Sequence, residues 1–261
     1  IIFGDTNSTL AGAIAASKLQ IPIIHIEAGL RSYNRSMPEE VNRIVADHVS
    51  DYLFVPTISA VNILKKENLE KKTYFTGDIM VDTMKNNIQI ALQKSTSIHE
   101  LSLKNQDFNL LTLHRNYNVD DTSILEHILE QVGQLDECIV FPVHPRTRKM
   151  LGTSFRVPVN IRLIEPQGYL DFIALEYFSK RIITDSGGIQ KEAYILRKPC
   201  FTLRTETEWT ETVEEHWNCL INPTDKSIAS QIAGFKVPEN QKEIFGDNVS
   251  QKMVEIINAI H

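Results

Sequence analysis

Short apolar runs alternate with amphipathic stretches along the whole chain, and this alternation predicts strands and helices in turn. Runs such as Tyr52–Val55 and Cys138–Val143 are apolar at consecutive positions. Strands of this kind are buried on both faces, which is typical of parallel sheets covered by helices. The predicted strands are Ile1–Phe3, Ile21–Ile26, Tyr52–Val55, Thr73–Phe75, Asn109–Leu113, Cys138–Val143, Asn160–Ile164, Arg181–Thr184, Pro199–Leu203 and Asn218–Ile221.

Segments with helical periodicity separate these strands, so the βαβ unit repeats through the chain. The pattern predicts an α/β fold with two Rossmann-like, doubly wound domains. Their boundary is signalled by Thr76–Asp78, by the helix that follows and by the polar stretch Gln93–Gln106. The predicted helices are Thr6–Leu19, Pro38–Ser50, Ser59–Glu67, Val81–Leu92, Thr122–Gln134, Tyr169–Tyr177, Gly188–Leu196, Ser227–Ile232 and Asn248–Ile260.

The chain begins on the apolar run Ile1–Phe3, which the pattern predicts to be the end of a buried strand, whereas few domains begin on a buried parallel strand. We therefore expect the first domain to be incomplete, with its own first elements preceding Ile1, and we expect this chain alone to be inactive. Residues 1–76 are assigned to the C-terminal half of the first domain, and residues 77–246 to the second domain. In doubly wound folds, ligands bind at the carboxyl ends of the strands, so we expect a cleft between the two domains.

The composition is that of a soluble globular protein, with 42% hydrophobic and 23% charged residues among 261. A net charge of −6 argues against nucleic acid as the main partner, because nucleic-acid footprints are usually basic. Cys138, Cys200 and Cys219 lack metal spacing, and reduced thiols fit the cytoplasm. Because no apolar run has membrane-spanning length, we expect no membrane partner. Ile1–Phe3 has no basic flank and runs straight into Gly4 and Asp5, so we also expect no signal peptide.

The most informative stretch, Arg181–Glu192, is predicted to form a strand, a tight turn at Asp185–Gly188 and a helix from Ile189. Two glycines at such a turn let backbone N–H groups approach a ligand closely, and the helix N-terminus favours an anion such as phosphate. Ser186 can cap the helix or donate to a phosphate, and Glu192 can accept from sugar hydroxyls. On the turn alone, an ordinary strand–helix turn with a serine cap remains the alternative.

Four acidic residues follow a predicted strand or begin a predicted helix, and such positions can contact a ligand. Asp5 follows the first strand, where a helix N-cap is the alternative role. Glu27 ends an apolar strand, and a carboxylate there is costly unless it is paired or used, which favours a function. Glu39 and Glu40 begin a helix, where acids are ordinary first-turn residues.

Basic residues end other strands. His114 and Arg115 together suit an anionic ligand and proton transfer. The alternative is that His114 is an ordinary surface histidine without a catalytic role. His144 and Arg204 also follow strands. His25 alternates with apolar residues inside a strand, so we expect it to satisfy a hydrogen bond rather than take part in chemistry.

The carboxylate runs Glu67–Glu70 and Glu206–Glu215 are expected to be solvated helix faces. The chain has no Cys/His cluster with zinc spacing, no His-Glu-x-x-His and no Gly-x-Ser-x-Gly. Acids, histidines, arginines and an anion-binding turn without a metal motif indicate acid/base chemistry on a phosphorylated substrate.

Eight short motifs together resemble those of the non-hydrolysing UDP-N-acetylglucosamine 2-epimerases. They occur in the family's order and span almost the whole chain; none would be specific alone. The resemblance implies a glycosyltransferase-B-like fold in which residues 247–261 form a helix that returns to the first domain. The matching segments are Gly4–Thr9, His25–Arg31, Met37–Arg43, Thr76–Asp78, Leu113–Arg115, Pro142–His144, Asp185–Gln190 with Glu192, and Phe245–Asp247.

The resemblance also implies roles for individual site residues. In the bacterial members that bind a second, activating UDP-sugar, that ligand would contact Arg115, His144 and Glu39. The acid/base set is Asp5, Glu27, Glu39 and His114, and the set that binds UDP and substrate is Ser186, Gly187, Gly188, Glu192, Arg115 and His144.

The implied reaction inverts C2 of UDP-N-acetylglucosamine. The C2 proton is poorly acidic, so UDP would leave as the proton is taken, giving a glycal. Protonation on the opposite face and return of UDP would complete the inversion, which needs an acid/base group on each face. The resemblance implies a UDP-sugar substrate and a homodimer, with neither metal nor nicotinamide cofactor, and a role in supplying UDP-N-acetylmannosamine-type sugars for surface polysaccharide.

Three departures from the family pattern bear on the substrate. Tyr117 stands where the family often has Glu. The stretches Ser32–Ser36 and Thr205–Trp209 are similar to relatives that act on modified UDP-sugars such as UDP-diacetamido-glucuronate, and Arg35 would suit a carboxylated sugar. A glycosyltransferase of the same fold and a catalytically silent UDP-sugar-binding regulator remain alternatives.

Overall fold

In the computed structural model, which describes residues 1–152 and 155–260, every strand pairing among those residues is parallel and the strands form two sheets. One sheet belongs to a unit made of Ile1–Thr83 and Lys242–His261, and the other to a unit made of Met84–Gln241. Two parallel sheets with intervening helices confirm the predicted α/β class with Rossmann-like units.

The element bounds agree with the predicted pattern for all of the predicted strands and helices, to within a few residues. The strands are β1 (Ile2–Phe3), β2 (Ile24–Ile26), β3 (Tyr52–Val55), β4 (Thr73–Phe75), β5 (Phe108–Thr112), β6 (Cys138–Pro142), β7 (Ile161–Ile164), β8 (Arg181–Thr184), β9 (Cys200–Thr202) and β10 (Asn218–Leu220). The helices are α1 (Asn7–Lys18), α2 (Pro38–Val49), α3 (Ile58–Lys66), α4 (Met80–Lys94), α5 (Ser97–Glu100), α6 (Asn116–Val119), α7 (Thr122–Val132), α8 (Pro145–Met150), α9 (Tyr169–Phe178), α10 (Gly187–Ile195), α11 (Thr210–Glu214), α12 (Ile228–Gly234) and α13 (Val249–Ala259), with a 3-10 turn at Glu70–Lys72.

The sheet of the first unit has its four strands side by side in chain order, β1-β2-β3-β4. One face is covered by α13, since Val249 and Met253 pack with Ile24 of β2 and Phe54 of β3. The last helix of the chain is therefore part of the core of the unit that contains the first strand.

The sheet of the second unit has the order β10-β9-β8-β5-β6-β7. Its two faces carry separate apolar cores. On β5, Leu110 packs on one side with Leu175 of α9 and Ala193 of α10, while Leu111 packs on the other side with Leu129 of α7. Burial on both faces explains why these strands are continuously apolar in sequence.

Four short helices were not predicted, namely α5, α6, α8 and α11, which have four to six residues each. Helices of this length do not complete two turns, so they leave no periodic apolar pattern. Two of them, α6 and α8, directly follow strand ends and fix the backbone next to predicted site residues.

Candidate functional site

The strand order of the second unit reverses direction between β5 and β8, which lie next to each other. In open parallel sheets, ligands bind at the carboxyl ends of the strands at such a switch point. His114 and Arg115 follow β5, and Asp185–Gly188 follow β8. We call these residues, with Asn118, the switch-point cluster.

A buried carboxylate organises the switch-point cluster. Asp185 accepts hydrogen bonds from the backbone N–H groups of His114 and Arg115, at 3.0–3.1 Å, and from Asn118 Nδ2 at 3.1 Å. Its side chain has no exposed surface. Several donors around one buried carboxylate hold both the carboxylate and the donating loop in one geometry.

The same carboxylate orients an imidazole. Nδ1 of His114 lies 2.8 Å from Asp185 Oδ1, and the His114 side chain is 56% exposed. With its proton on Nδ1 donated to Asp185, the ring has Nε2 as the atom that exchanges a proton with a ligand. The predicted acid/base role of His114 therefore has a matching geometry, although the role itself stays a prediction.

The anion-binding turn differs in detail from the prediction. The helix begins at Gly187, not at Ile189, and Ser186 is the N-cap, with its Oγ accepting from Ile189 N. Both glycines lie in the first helical turn, where helix geometry leaves backbone N–H groups without intrahelical partners. A phosphate at this end of α10 would be favoured by those N–H groups and by the helix dipole.

Neither glycine of this turn has a positive φ, so backbone conformation does not require glycine at either position. The room available for a Cβ atom differs between the two positions. A Cβ on Gly187 would lie 2.5 Å from Glu208 Oε1, whereas the nearest atom to a Cβ on Gly188 would be Ser186 Oγ at 4.0 Å. A side chain at position 187 would therefore displace the carboxylate of Glu208. Gly188 leaves a space at the helix end that a ligand can enter.

Two guanidinium groups add positive charge beside the switch-point cluster. Arg204 is buried, and its Nη2 lies 3.1 Å from Glu208 Oε2. Within residues 1–152 and 155–260, neither Nη1 of Arg204 nor the buried Nε of Arg115 has a hydrogen-bond partner. Burial, more than the nearby charges, raises the pKa of Tyr117, so this hydroxyl is a neutral donor next to both arginines.

His144 has a structural role that its sequence position did not show. It is the N-cap of α8, and its Nδ1 accepts from Arg146 N at 3.2 Å. The ring is exposed. The proposed contact of His144 with an activating UDP-sugar stays a prediction.

The role of Glu192 as an acceptor of sugar hydroxyls stays a prediction, and its environment includes a second acid. Glu176 of α9 is completely buried, and neither of its carboxyl oxygens has a hydrogen-bond partner among the described residues. Burial and the neighbouring carboxyl group raise the pKa of Glu176 far above its usual range, and burial raises the pKa of Glu192. The one signal for Glu176 in the sequence is its position as an acidic residue inside the apolar stretch Phe172–Phe178.

In the first unit, Asp5 and Glu27 follow the neighbouring strands β1 and β2. Asp5 is not the N-cap of α1, because Thr6 fills that position; the Asp5 carboxylate instead forms an ion pair with Arg43. Glu27 has a left-handed backbone with φ of 67°. Such a conformation is costly for a residue with a side chain, and it is found preferentially at functional sites.

Glu39 and Glu40, adjacent in sequence, differ in environment. Glu40 is buried and accepts from Ser32 N, Tyr33 N and Arg43 Nη1. Burial would raise the pKa of Glu40, but these donors outweigh it and lower the pKa. Glu40 therefore fixes the loop after residue 31. Glu39 is half-exposed, and its acid/base role stays a prediction.

A second buried network in the first unit corrects one expectation and confirms another. His25 has its Nδ1 2.8 Å from Asp47 Oδ1 and its Nε2 2.8 Å from the Gly4 carbonyl, as expected for a hydrogen-bonded core histidine. Glu67 is not part of a solvated face, because it binds Arg31 through two hydrogen bonds. Arg31 also binds Asp47, at 2.7 Å, so four ionisable side chains form one chain of contacts.

Two general features of the described residues complete the picture. No group of three or more His, Cys, Asp or Glu in residues 1–152 and 155–260 is arranged to hold a metal ion. No helix in the described part of the chain is long and apolar enough to cross a membrane.

Comparison with known proteins gives consistent results over the full chain. A family model described as UDP-N-acetylglucosamine 2-epimerase matches residues 1–258. A UDP-N-acetylglucosamine 2-epimerase homolog of Methanococcus maripaludis is 44% identical, over 100% of this chain and 75% of the relative. A UDP-2,3-diacetamido-2,3-dideoxy-D-glucuronate 2-epimerase of Pseudomonas aeruginosa is 42% identical, over 98% of this chain and 73% of the relative.

The fold is similar to that of a solved enzyme with ligands. The crystal structure of Methanocaldococcus jannaschii UDP-GlcNAc 2-epimerase, in complex with UDP-GlcNAc and UDP, matches with a TM-score of 0.86 and 40% sequence identity. The match covers 99% of this chain and 75% of that chain.

Proposed function

Since the chain belongs to the UDP-N-acetylglucosamine 2-epimerase family, we propose that it inverts C2 of UDP-N-acetylglucosamine to give the UDP-N-acetylmannosamine configuration. The reaction is an isomerisation in which UDP leaves, a glycal forms and UDP returns after proton transfer to the opposite face.

The observation that carries this proposal is the switch-point cluster. At the carboxyl ends of adjacent parallel strands, an imidazole held by Asp185 stands beside the N-terminus of α10. The helix end suits the diphosphate of a nucleotide. The imidazole suits proton transfer in the same reaction.

Each residue of the cluster has a distinct role in the proposal. The N–H groups at Gly187 and Gly188 and the hydroxyl of Ser186 hold the diphosphate while negative charge develops on it. Nε2 of His114 exchanges a proton, and Asp185 keeps the ring in that orientation. Holding UDP after it leaves makes its return faster than its escape.

The carboxylates of the first unit, Asp5, Glu27 and Glu39, are assigned to proton transfer on the sugar. Their support is the family motif positions, the ion pair of Asp5 with Arg43 and the left-handed backbone of Glu27. One base per face of C2 is needed, so more than one acid/base group is required.

The test is to incubate the full-length protein with UDP-N-acetylglucosamine in deuterated water. We expect deuterium at C2 and formation of the C2 epimer without any acceptor. His114→Ala should reduce the exchange by about 10²-fold or more, the range for loss of general acid/base catalysis. Sugar transfer that depends on an acceptor would instead indicate a glycosyltransferase, and UDP binding without exchange would indicate a binding regulator.

A carboxylated UDP-sugar is a second candidate substrate, because the Pseudomonas aeruginosa relative acts on UDP-2,3-diacetamido-2,3-dideoxy-D-glucuronate, by its name. Arg35 lies in the loop that Glu40 fixes and is exposed, so it is available to a sugar carboxylate. Arg35→Ala should then lower kcat/KM for the carboxylated sugar selectively. An equal effect on both sugars would exclude this role.

We also propose that the protein is a homodimer, as the family resemblance implies. Light scattering coupled to size-exclusion chromatography measures this directly, and a monomer at assay concentrations would refute it.

A further inference from the structure

The buried histidine of β2 faces a hydrogen-bond acceptor on each side of its ring. His25 has no exposed side-chain surface. Its Nδ1 lies 2.8 Å from Asp47 Oδ1, and its Nε2 lies 2.8 Å from the carbonyl oxygen of Gly4. A neutral imidazole has one N–H group and one lone pair, so it donates to only one of two acceptors. Both contacts are hydrogen bonds only if both ring nitrogens have a proton.

The state of the Asp47 carboxyl group decides where the proton between the two side chains lies. Its second oxygen, Oδ2, accepts from Arg31 Nη1 at 2.7 Å and from the backbone N–H of Gly29 at 3.1 Å. A guanidinium and an amide that donate to the same carboxyl group stabilise its ionised form. The geometry therefore favours a carboxylate at Asp47 and a doubly protonated ring at His25.

The charges around the ring balance if it is a cation. Two positive and two negative side chains then form one chain of contacts, made of His25, Arg31, Asp47 and Glu67. Lys72 also interacts with the charges of Asp47 and Asp51, and these two further residues add one charge of each sign. A buried cation is costly unless it is paired, and each cation of the chain contacts an anion. With a neutral ring, the four contacting side chains would have a net negative charge.

The Nε2 side of the ring contacts the turn that contains Asp5. The carbonyl group opposite Nε2 belongs to the peptide bond between Gly4 and Asp5. Because a peptide bond is planar, a donor on this oxygen orients the whole unit through which the chain enters Asp5. Gly4 has a φ of 68°. Glycine adopts this conformation easily and leaves it equally easily, so the hydrogen bond from His25 restricts a turn that is intrinsically free.

The Asp47 side of the ion pair contacts the turn that contains Glu27. The N–H group that donates to Asp47 Oδ2 belongs to Gly29, two positions after Glu27. Glu27 has a φ of 67° and Gly29 a φ of 83°. A left-handed backbone at a residue with a side chain persists only where the surrounding structure holds it. One buried ion pair therefore contacts both of these turns.

We propose that His25 is a positioning residue, a buried imidazolium whose ion pair with Asp47 fixes the turns of Asp5 and Glu27 together. This rests on the proposed function, in which both carboxylates exchange protons with the sugar. A displacement of about 1 Å at a reacting group can lower a rate by about 10²-fold. Loss of the bond from His25 to Gly4 should therefore lower kcat. KM should change little, because the diphosphate is assigned to the second unit.

The protonation of the ring is measured by nuclear magnetic resonance on the full-length protein labelled with nitrogen-15 in histidine. The two ring nitrogens of an imidazolium have similar chemical shifts, whereas those of a neutral ring are widely separated. Through-bond correlation to the backbone assigns the signals of His25 without any variant. At pH 8, where an imidazole in water is mostly neutral, we expect both nitrogens of His25 to be protonated. An unprotonated nitrogen at His25 would overturn the proposal.

Two variants separate the two sides of the ring. The amide nitrogen of glutamine reaches the position of Nε2 and donates to Gly4, whereas the shorter asparagine reaches only the position of Nδ1, which faces Asp47. Both variants remove the charge of the ring. His48→Gln is the matched control, because His48 lies in α2 of the same unit with a side chain that is 47% exposed.

The variants are compared by kcat and KM for the epimerisation of UDP-N-acetylglucosamine. His25→Asn should have a kcat at least about tenfold below that of His25→Gln, while the KM values of the two variants agree within about twofold. His48→Gln should match wild type. Equal kcat values for His25→Asn and His25→Gln would overturn the positioning role, because a histidine needed only for folding would affect both variants alike.

Failure of this inference is distinguishable from failure of the proposed function. Wild type that epimerises the sugar but has a neutral His25 overturns the inference and leaves the proposed function standing. Wild type without epimerisation or deuterium exchange overturns the proposed function and, with it, the positioning role. If both His25 variants fail to fold, the resonance measurement on wild type still decides whether the ring has the second proton that the proposal requires.

Discussion

At the scale of single residues, the polar groups that define the site are held by other buried polar groups. Asp185 fixes His114 and the following backbone, and Glu40 fixes the loop at Ser32 and Tyr33. Asp185 lies 71 positions from His114 in sequence, whereas Glu40 lies seven and eight positions from Tyr33 and Ser32. Sequence reasoning could propose groups that would contact a ligand, but it did not identify the residues that orient them.

Asp185→Asn tests the orientation of His114. The substitution removes the negative charge and replaces one of the two acceptor oxygens with an amide donor, so the ring is no longer held in the tautomer with the proton on Nδ1. We expect kcat to fall by about 10²–10⁴-fold with a much smaller change in KM. Steady-state kinetics measures both values. Because the two side chains act as one unit, His114→Ala/Asp185→Asn should be no slower than His114→Ala alone. If kcat of the double variant fell by the product of the two single reductions, Asp185 would act independently of the imidazole.

Asp47→Asn tests the buried network of the first unit. Burial would raise the pKa of Asp47, but the hydrogen bonds and charges of His25 and Arg31 outweigh it and lower the pKa. Asparagine removes the negative charge that faces His25 and Arg31 in the buried network and leaves Arg31 with Glu67 as its carboxylate partner, so the free energy of unfolding should fall by about 3–5 kcal/mol at pH 7 in urea titrations.

The pH dependence of this effect follows from the lowered pKa. Ionised Asp47 stabilises the fold above its ordinary pKa near 4, and the contribution is lost as pH falls through its folded-state pKa. The difference between wild type and Asp47→Asn should therefore shrink below pH 4. Glu67→Gln is the control, since it leaves Asp47 bound to Arg31 and should cost at most about 1 kcal/mol. A constant difference from pH 7 to pH 3 would contradict the assignment.

At the scale of elements, the helices α6 and α10 follow β5 and β8 at the candidate site. Of the two, α10 is the one that the sequence predicted. Its N-cap serine and glycine pair are visible in sequence, although its first residue is Gly187 rather than Gly188 or Ile189. The short α6 was invisible because four residues leave no periodicity.

Gly188→Ala tests whether the N-terminus of α10 receives a diphosphate. A methyl group there meets no protein atom closer than 4.0 Å, and alanine favours helix, so Tm should stay the same or rise slightly. The methyl group would occupy the space a phosphate needs, and the Kd for UDP should rise at least about tenfold, or about 1.4 kcal/mol. Gly234→Ala in α12, which also meets no atom within 4 Å, should change neither value. Unchanged UDP affinity in Gly188→Ala would place the diphosphate elsewhere.

At the scale of the whole molecule, the α/β class followed from the apolar runs, because a strand such as β5 is buried along its entire length. The order of the strands did not follow, since the pattern within β5 or β8 does not say that they are neighbours. That neighbourhood is what brings His114 to Asp185. Long-range pairing of this kind is decided by tertiary packing, which local sequence patterns do not encode.

The placement of α13 makes a prediction for the first unit. Met253→Ala removes a buried side chain that packs with Ile24 and Phe54, and it should cost about 2–5 kcal/mol of that unit's stability. Val254→Ala, one position away and 55% exposed, should cost less than about 0.5 kcal/mol. Hydrogen exchange should rise in residues 1–83 and 242–260 and stay unchanged in residues 84–241. A uniform rise in all residues would show that the two units unfold as one.

The discontinuity of the first unit has a consequence for biosynthesis. Residues 84–241 are contiguous, so on the ribosome they can reach their native contacts as soon as they emerge from the exit tunnel. Residues 1–83 emerge earlier, yet the helix that covers Ile24 and Phe54 is made of residues 249–259 and is translated after the whole of the second unit. Nascent chains therefore carry an uncovered apolar sheet face until residues 249–259 have emerged. This interval is the stage at which molecular chaperones would be needed to prevent aggregation.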